Sequence, residues 1–191
     1  MTRLVLASGS PRRAALLETL GLQFEIAPAD IDETRRPGEH PNGYVERLAR
    51  EKAEASAAAD AVVIGADTAV VHEGDVLGKP AHPAEARAML SRLSGDVHHV
   101  VTGLAAVSFG DGELVVESVV ESARVRMATL TQEEIAAYVA TGEPLDKAGA
   151  YALQGRGGTL VEAIEGHPST VIGLPLPAVV RLLSRHGIRL G

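Results

Sequence analysis

Hydrophobic and polar residues follow two different periods along this chain. Short runs rich in valine, isoleucine and alanine are typical of strands, whereas apolar residues three or four positions apart are typical of helices. Because the two patterns alternate, the predicted fold class is α/β with a mixed sheet. In chain order the predicted elements are a strand 4–7, helices 10–20 and 44–59, a strand 61–65, a hairpin 69–77, a helix 83–93, strands 97–107 and 114–127, a helix from the capping box at Thr131 to Gly142, a strand 159–164 and a helix 176–186.

The composition is that of a folded protein with a sizeable core. Of the 191 residues, 46% are hydrophobic and 23% are charged, which is ordinary for a globular protein. This length fits one domain or two closely fused lobes. We predict a single domain over residues 1–191.

Charge and residue usage exclude several classes of function. The net charge of −7 and the aromatic content of 3% argue against a nucleic-acid polymer as partner, since neither a basic face nor a stacking platform is present. The absence of cysteine excludes disulfides, thiolate metal sites and a cysteine nucleophile. No apolar stretch reaches the ~18 residues of a membrane span, and the first residues form too short an apolar run for a signal peptide. We expect a cytoplasmic protein that does not bind membranes.

Lysine is rare in this chain. Among 18 basic residues, only Lys52, Lys79 and Lys147 are lysine. Arginine and lysine differ in shape and hydrogen-bond geometry, so these positions are candidates for sites that require a compact ammonium group. Lys79 and Lys147 lie in predicted loops, whereas Lys52 lies in a predicted helix, where an ordinary surface role stays open. The alternative is a chance distribution in an arginine-biased sequence.

The segment 8–13 joins a strand end, a small-residue turn and a helix start. Ser10 is the predicted N-cap, and Pro11 takes the first helical position. Backbone N–H groups at a helix start attract anions, but Arg12 and Arg13 lie where positive charge is unfavourable by roughly 0.3–1 kcal/mol each. A phosphate bound beside them would explain this placement. An ordinary cap with two solvated arginines is the alternative.

Acidic residues at two places are candidates for metal binding. Asp67 lies between apolar residues at the predicted end of a buried strand, where ligands bind in α/β sheets. It could bind a divalent cation or take a proton from water. Asp30, Asp32 and Glu33 form an acidic cluster whose oxygens could bind Mg²⁺. A turn aspartate and a solvated acidic loop are the alternatives.

A glycine-rich loop holds Lys79. The stretch 74–80 superficially resembles a Walker loop, but its glycines are too close together and Pro80 replaces the required serine or threonine. Lys79 can still reach a phosphate, because Gly78 and Pro80 hold it in place.

The segment 142–155 is dense in residues with special roles. Gln154 offers an amide that can read a nucleobase edge with both a donor and an acceptor. Asp146 and Lys147 belong either to a binding site or to a structural ion pair, and the sequence favours neither interpretation.

Histidine and serine chemistry have weaker support. His98 and His99 are adjacent in a predicted strand, so they point to opposite faces and cannot jointly hold a metal. Ser8 or Ser10 could act as a nucleophile with a histidine partner, but no nucleophile-elbow motif is present.

Taken together, these motifs resemble those of the Maf family of nucleoside triphosphate pyrophosphatases. They occur in the family's order from residue 6 to residue 175, and all three lysines fall inside them. The segment 166–170 departs from the family, which usually has an aromatic residue and often an asparagine there. The matching segments are 6–13, 32–33, 47–53, 65–68, 77–80, 142–151, 154–155 and 173–175.

The resemblance implies hydrolysis of a nucleoside triphosphate between its α- and β-phosphates, with Mg²⁺ or Mn²⁺ assisting. It also implies a homodimer and an elongated Maf/ITPase-like fold, with a mixed sheet flanked by helices and a central cleft between two lobes. At Arg13, Thr68 and Gln154 the chain is similar to the subgroup that acts on dTTP and UTP. Modified pyrimidine nucleotides are further implied substrates, and they would fit a house-cleaning role. The alternatives are a 7-methyl-GTP pyrophosphatase and a nucleotide-binding regulator of cell division with little turnover.

The resemblance further implies a role for each candidate residue. Glu33 and Asp67 would hold the metal, and Asp67 would activate the attacking water. Lys52 and Lys79 would neutralise charge on the leaving pyrophosphate. The implied substrate-binding residues are Ser8 and Arg12 for the phosphates, Arg13, Thr68 and Gln154 for the pyrimidine, and Lys147 with Asp146 for the floor of the cleft.

Overall fold

The computed structural model describes residues 2–190, which form a mixed α/β structure. Three short 3₁₀ segments, 143–146, 148–150 and 155–160, lie between the fourth helix and the last strand. The strands and α-helices are β1 (Arg3–Leu6), α1 (Pro11–Glu18), β2 (Glu25–Ile26), α2 (Pro41–Ala55), β3 (Ala61–His72), β4 (Asp75–Leu77), α3 (Pro83–Leu93), β5 (Val97–Gly110), β6 (Glu113–Met127), α4 (Gln132–Ala140), β7 (Val161–Glu165), α5 (Pro168–Ile172) and α6 (Leu176–Arg185).

The strands form a mixed sheet in the order β2-β1-β3-β5-β6-β7, with β4 paired to β3. The strand β1 is parallel to β2 and to β3, and Leu4 lies opposite Val62 in the β1–β3 register. The pairs β3–β4 and β6–β7 are antiparallel. The predicted mixed α/β class is therefore confirmed. Within residues 2–190, no helix is both long enough and apolar enough to cross a lipid bilayer.

Contacts divide the chain into two compact units. The first unit comprises the chain up to Asp67, the segment Thr102–Glu121 and the chain from Gly173 onward. The second comprises Thr68–Val101 and Ser122–Ile172. The assignment of residues 1–191 to a single domain stays a prediction.

Several predicted boundaries are wrong. The second helix begins at Pro41 and not at Tyr44, because proline suits the first helical turn and His40 Nδ1 accepts a hydrogen bond from the backbone N–H of Asn42 at 3.3 Å. The strand predicted to end at Gly65 continues to His72. The hairpin, the helix 83–93 and the capping box at Thr131 are confirmed.

In the first unit, α2 packs closely against two strands. Glycine permits this approach, because a Cβ at Gly65 would collide with the carbonyl oxygen of Ala49, and one at Gly103 with that of Val45. The side chains of the neighbouring buried cluster are small: they are alanines and valines from β1 and the residue after it, α2, β3 and β5. Small side chains thus bring the helix backbone close to the sheet.

We expect Gly65→Ala to lower the free energy of unfolding by about 1–3 kcal/mol, because α2 must shift to accommodate the methyl group. Gly43→Ala is the matched control in the same helix, where a Cβ would meet nothing within 4 Å. It is expected to raise the free energy of unfolding by about 0.5–1 kcal/mol, since alanine suits a helix better. Urea denaturation measures both, and an unchanged midpoint for Gly65→Ala contradicts the close packing.

In the second unit, a buried histidine lies in the core. His98 in β5 is 1% exposed, and its Nε2 lies 2.7 Å from the hydroxyl oxygen of Tyr151, whose ring meets the imidazole edge-on. Its neighbour His99 is exposed, so the two side chains point to opposite faces, as predicted. Burial, with a smaller effect of the charge on His72, lowers the pKa of His98 to about 4.

This buried imidazole makes the stability of the protein depend on pH. The unfolded state binds a proton near pH 6.5, whereas the folded state binds it only near pH 4. The stability that His98 contributes is therefore complete above pH 6.5 and is lost as the pH falls towards 4, by about 3 kcal/mol in total. We expect His98→Gln to flatten the dependence of the unfolding free energy on pH over this interval, while the exposed control His99→Gln leaves it unchanged.

Candidate active site

A lysine ammonium group between two carboxylates forms the centre of the candidate site in the first unit. Lys52 Nζ lies 2.7 Å from Asp67 Oδ1 and 2.7 Å from Glu33 Oε1. The side chains of Lys52 and Asp67 are 9% and 12% exposed, whereas that of Glu33 is 53% exposed. Burying these charges is unfavourable unless they are paired, so the ion pair allows both to lie in the interior.

The position of Lys52 on α2 explains its burial. The helix buries Val45, Leu48, Ala49, Lys52 and Ala53, which follow the spacing of a core-facing stripe. Lysine thus takes a place on this stripe that an apolar residue would normally occupy. The surface role that the sequence left open is therefore wrong.

The strand β3 supplies the other buried charge. Asp67 lies inside this strand, among residues that are nearly all buried, and not at its end as predicted. Aspartate is unfavourable in a strand interior, but the contact with Lys52 compensates its charge. Glu33 reaches Lys52 from the loop between β2 and α2.

Ser8 and Arg13 form a second polar arrangement in this unit. Arg13 donates from Nε to the carbonyl oxygen of Gly173 at 2.8 Å and from a terminal nitrogen to Ser8 Oγ at 3.1 Å. Burial, with a further effect of the neighbouring Arg12, lowers the pKa of Arg13, although the charges of Asp67 and Glu33 oppose this shift. Arg13 is thus anchored beside the negative charges of Asp67 and Glu33.

The partners of Ser8 define what its hydroxyl can do. Its Oγ accepts from Arg13 and from the backbone N–H of Ser10 at 3.3 Å. Since these two bonds occupy the acceptor capacity of the oxygen, its own proton is the group that remains to bind an anion. Neither partner can take that proton, which argues against Ser8 as a nucleophile. Ser10 is the N-cap residue of α1 as predicted, but its side chain makes no capping hydrogen bond.

The remaining candidates belong to the second unit. The loops that carry Lys79 and Lys147 are adjacent, because the N–H of Gly149 donates to the carbonyl oxygen of Gly78 at 3.1 Å. Lys79 and Gln154 are exposed, and Thr68 is half-buried in β3. These positions leave the side chains of Lys79 and Gln154 accessible to a ligand.

Lys147 has partners within its own segment. Its Nζ pairs with Asp146 Oδ1 and donates to the carbonyl oxygen of Glu143 at 3.4 Å. The structural ion pair that the sequence offered as one interpretation of Asp146 and Lys147 is therefore present.

Glu143, for which the sequence predicted no role, organises the loop after Gln154. Its carboxylate accepts from the backbone N–H groups of Arg156 and Gly157 and from the hydroxyl of Tyr138, at 2.9–3.1 Å. Burial acts against ionisation, but these three donors lower the pKa of Glu143. Its position in the segment 142–155, which is dense in residues with special roles, could have indicated this role.

The acidic residues fit one kind of metal site and not another. Within residues 2–190, no group of three or more His, Asp or Glu side chains could hold a metal ion, so a closed zinc site of protein ligands does not fit. Glu33 and Asp67 contact the same Nζ at 2.7 Å, so their oxygens lie at most twice that distance apart. A carboxylate pair fits Mg²⁺ or Mn²⁺, since Mg²⁺ takes one or two carboxylates and completes its shell with water and substrate phosphates.

Comparison with known proteins identifies the family of this chain. A family model described as Maf-like protein matches residues 3–186. The chain belongs to the Maf-like family. The resemblance predicted from the sequence motifs is thereby confirmed over nearly the whole chain.

Close relatives of this Maf-like chain carry one activity in their names. A dTTP/UTP pyrophosphatase from Hahella chejuensis is 51% identical, with 98% of this chain and 94% of the relative covered. A dTTP/UTP pyrophosphatase from Anaeromyxobacter sp. is 53% identical, with 97% of this chain and 90% of the relative covered.

A solved structure supports the fold of the family. The Staphylococcus aureus Ham1 protein matches with a TM-score of 0.50 at 16% identity, covering 96% of this chain and 99% of that one. At this identity the likeness concerns the fold alone, and it agrees with the predicted mixed sheet flanked by helices.

Proposed function

We propose that this protein hydrolyses nucleoside triphosphates, with dTTP and UTP preferred, to a nucleoside monophosphate and pyrophosphate. The observation that carries the proposal is the buried Lys52 ammonium between Asp67 and Glu33. Membership of the Maf-like family and relatives named dTTP/UTP pyrophosphatase support the substrate. Modified pyrimidine nucleotides are further candidate substrates.

In this mechanism Asp67 accepts a proton from the attacking water. The water oxygen forms a bond to the α-phosphorus, the bond from that phosphorus to the bridging oxygen breaks, and pyrophosphate leaves with the electron pair. Lys52 stabilises the negative charge that shifts onto the leaving group. Its contact with Asp67 at 2.7 Å keeps that carboxylate oriented.

The segment 8–13 binds phosphate in the proposed complex. Ser8 donates its hydroxyl proton to a phosphate oxygen. Arg12, in the first turn of α1, binds the same phosphate, and the backbone N–H groups at this helix start also attract anions. The anchored guanidinium of Arg13 keeps Ser8 in this orientation. Roles of Thr68, Lys79, Lys147 and Gln154 in nucleotide binding stay predictions, which the KM values of their alanine variants test.

We propose Glu33 and Asp67 as the residues that hold Mg²⁺ or Mn²⁺. A bound divalent cation would supply charge neutralisation for the triphosphate and polarise the water. Removal of metal with EDTA should abolish turnover, and addition of either cation should restore it. Unchanged turnover after removal contradicts the metal role of this pair.

The experiment that tests the function uses a panel of canonical, modified and 7-methylated triphosphates in water enriched in ¹⁸O. We expect monophosphate and pyrophosphate, formed fastest from dTTP or UTP, with the label in the monophosphate. Fastest turnover of 7-methyl-GTP would replace the pyrimidine assignment. Binding without turnover of any nucleotide would instead favour a regulatory protein, for example one that acts in cell division.

We also propose that the protein acts in the cytoplasm, where its substrates are found, and as a homodimer. The dimer rests on the family resemblance. Size-exclusion chromatography with light scattering tests it, since a monomer of 19.9 kDa is readily distinguished from twice that mass.

A further inference from the structure

The loop that carries Glu33 has no regular structure of its own between Ala27 and His40. Glu33 is also the more exposed of the two carboxylates at Lys52. A few hydrogen bonds within the loop join residues 35 and 36 to Glu39, and contacts from outside the loop attach it to the rest of the unit. These contacts come from α2, the helix that also carries Lys52.

Arg47 makes the largest set of these contacts. Its guanidinium binds Glu39 with two hydrogen bonds, from Nε at 2.6 Å and from Nη2 at 2.8 Å. Nη2 also donates to the carbonyl oxygen of Thr34 at 3.2 Å, and Nη1 to Glu51 at 3.2 Å. The side chains of Arg47 and Glu39 are each 13% exposed, so this pair is protected from solvent.

Tyr44 adds a contact to the preceding residue of the loop. Its hydroxyl donates to the carbonyl oxygen of Glu33 at 3.0 Å, and its ring lies 5.7 Å from the guanidinium carbon of Arg47. Residues three apart on a helix share a face, so Tyr44 and Arg47 project towards the loop together. They bind the consecutive carbonyl groups of Glu33 and Thr34.

We propose that Arg47 is a positioning residue, which fixes the loop 33–39 to α2 and thereby sets the contact of Glu33 with Lys52. This inference rests on the proposed function, in which Glu33 and Lys52 act in hydrolysis. In this role Arg47 acts through Glu33 and not on the substrate directly. Its planar guanidinium binds Glu39 with two parallel bonds and Thr34 with a third, a geometry that a lysine cannot reproduce.

The ion pair of Arg47 and Glu39 keeps its charges over a wide range of pH. The hydrogen bonds from Arg47 lower the pKa of Glu39 to about 2. The contribution of Glu39 is therefore complete above its ordinary value of 4.5 and is lost only as the pH falls towards 2. The contact thus persists at every pH at which turnover would be measured.

The test compares Arg47→Lys with Arg50→Lys. Arg50 lies on the same helix but is 48% exposed and 3.9 Å from Glu54, and it serves as the matched control. We expect Arg47→Lys to lower kcat by roughly ten- to a hundredfold, with KM changed less than threefold and the protein still folded. Arg50→Lys is expected to leave both constants unchanged.

A double-variant cycle separates positioning from a general effect on folding. If Arg47 acts through Glu33, Arg47→Lys should cause little further loss in a Glu33→Gln background. An equal fractional loss in both backgrounds, or an unchanged kcat in the single variant, overturns the inference. An inactive wild-type protein would instead contradict the proposed function itself.

A second variant keeps the test decisive if Arg47→Lys does not fold. Tyr44→Phe removes one hydroxyl from the same loop contact and leaves the ring beside Arg47. The expected kcat loss is smaller, at roughly three- to tenfold, and it should again vanish in the Glu33→Gln background. Wild-type kcat in folded Tyr44→Phe overturns the inference in that case.

Discussion

Asp67→Asn is expected to lower kcat by about 10²–10⁴-fold, which is the usual contribution of a general base. Asparagine has nearly the same shape and can still accept a hydrogen bond from Lys52 through its amide oxygen. It has no negative charge, however, and cannot take a proton from water. The variant therefore removes the proposed chemistry while it changes the packing of β3 very little.

The measurement is the release of pyrophosphate from dTTP or UTP at saturating substrate, together with the melting temperature. Asp60→Asn is the matched control, because Asp60 is 68% exposed and pairs with Arg3 away from Lys52. Near-normal turnover of Asp67→Asn, with an unchanged requirement for metal, contradicts the role of Asp67. A loss of equal size in both variants would point to a general effect of neutralising an acid.

Local signals predicted most of the secondary structure of this chain. The capping box at Thr131 forms as its residues indicate, because Thr131 and Glu134 bind each other's backbone N–H groups. The hairpin of β3 and β4 turns at residues 73–74, both of which have positive φ angles. Such features depend on residues close in sequence, so a single sequence suffices to predict them.

The strand predicted to end at Gly65 continues through Asp67 to His72, and this error has a different origin. Gly65 and Asp67 are both unfavourable in strands, so local propensity ended the strand there. The strand continues because Gly65 permits α2 to approach closely and Lys52 compensates the charge of Asp67. Neither contact is local, and both residues depart from strand preference at the candidate site.

The burial of Lys52 could have been predicted from the sequence. Val45, Leu48, Ala49 and Ala53 define an apolar stripe, and Lys52 falls on it. A charged residue at a core-facing position calls for a buried partner, and Asp67 was already a candidate acid.

Other parts of the site could not be predicted in this way. The bond from Arg13 to Gly173 joins residues 160 positions apart, and the bonds from Arg47 to Glu39 and Thr34 depend on the path of an irregular loop. No local pattern indicates these partners.

Lys52→Met is expected to abolish turnover and to lower the free energy of unfolding by about 3 kcal/mol. Methionine preserves the length of the side chain and its packing on α2, but it removes the cation that Asp67 and Glu33 share. Glu33 is 53% exposed and can remain solvated. Asp67, at 12% exposure, would be left as an unpaired buried charge, and breaking a buried pair in this way costs about 3–5 kcal/mol.

Lys52→Arg is also expected to be inactive. The close approach of α2 to the strand at Gly65 leaves little room for a planar guanidinium, and its geometry differs from that of an ammonium group. Arg50→Met, at an exposed position of the same helix, is the control for both variants. Full activity of Lys52→Arg would show that positive charge alone suffices at this position.

The double variant Lys52→Met/Asp67→Asn separates the two effects of Lys52. It removes both buried charges, and replacing a buried ion pair by neutral groups is often close to neutral for stability. We therefore expect urea denaturation to recover most of the ~3 kcal/mol lost in Lys52→Met, while turnover stays undetectable. If stability is not recovered, the loss in Lys52→Met comes from packing and not from the unpaired charge of Asp67. If turnover returns, neither residue takes part in the chemistry.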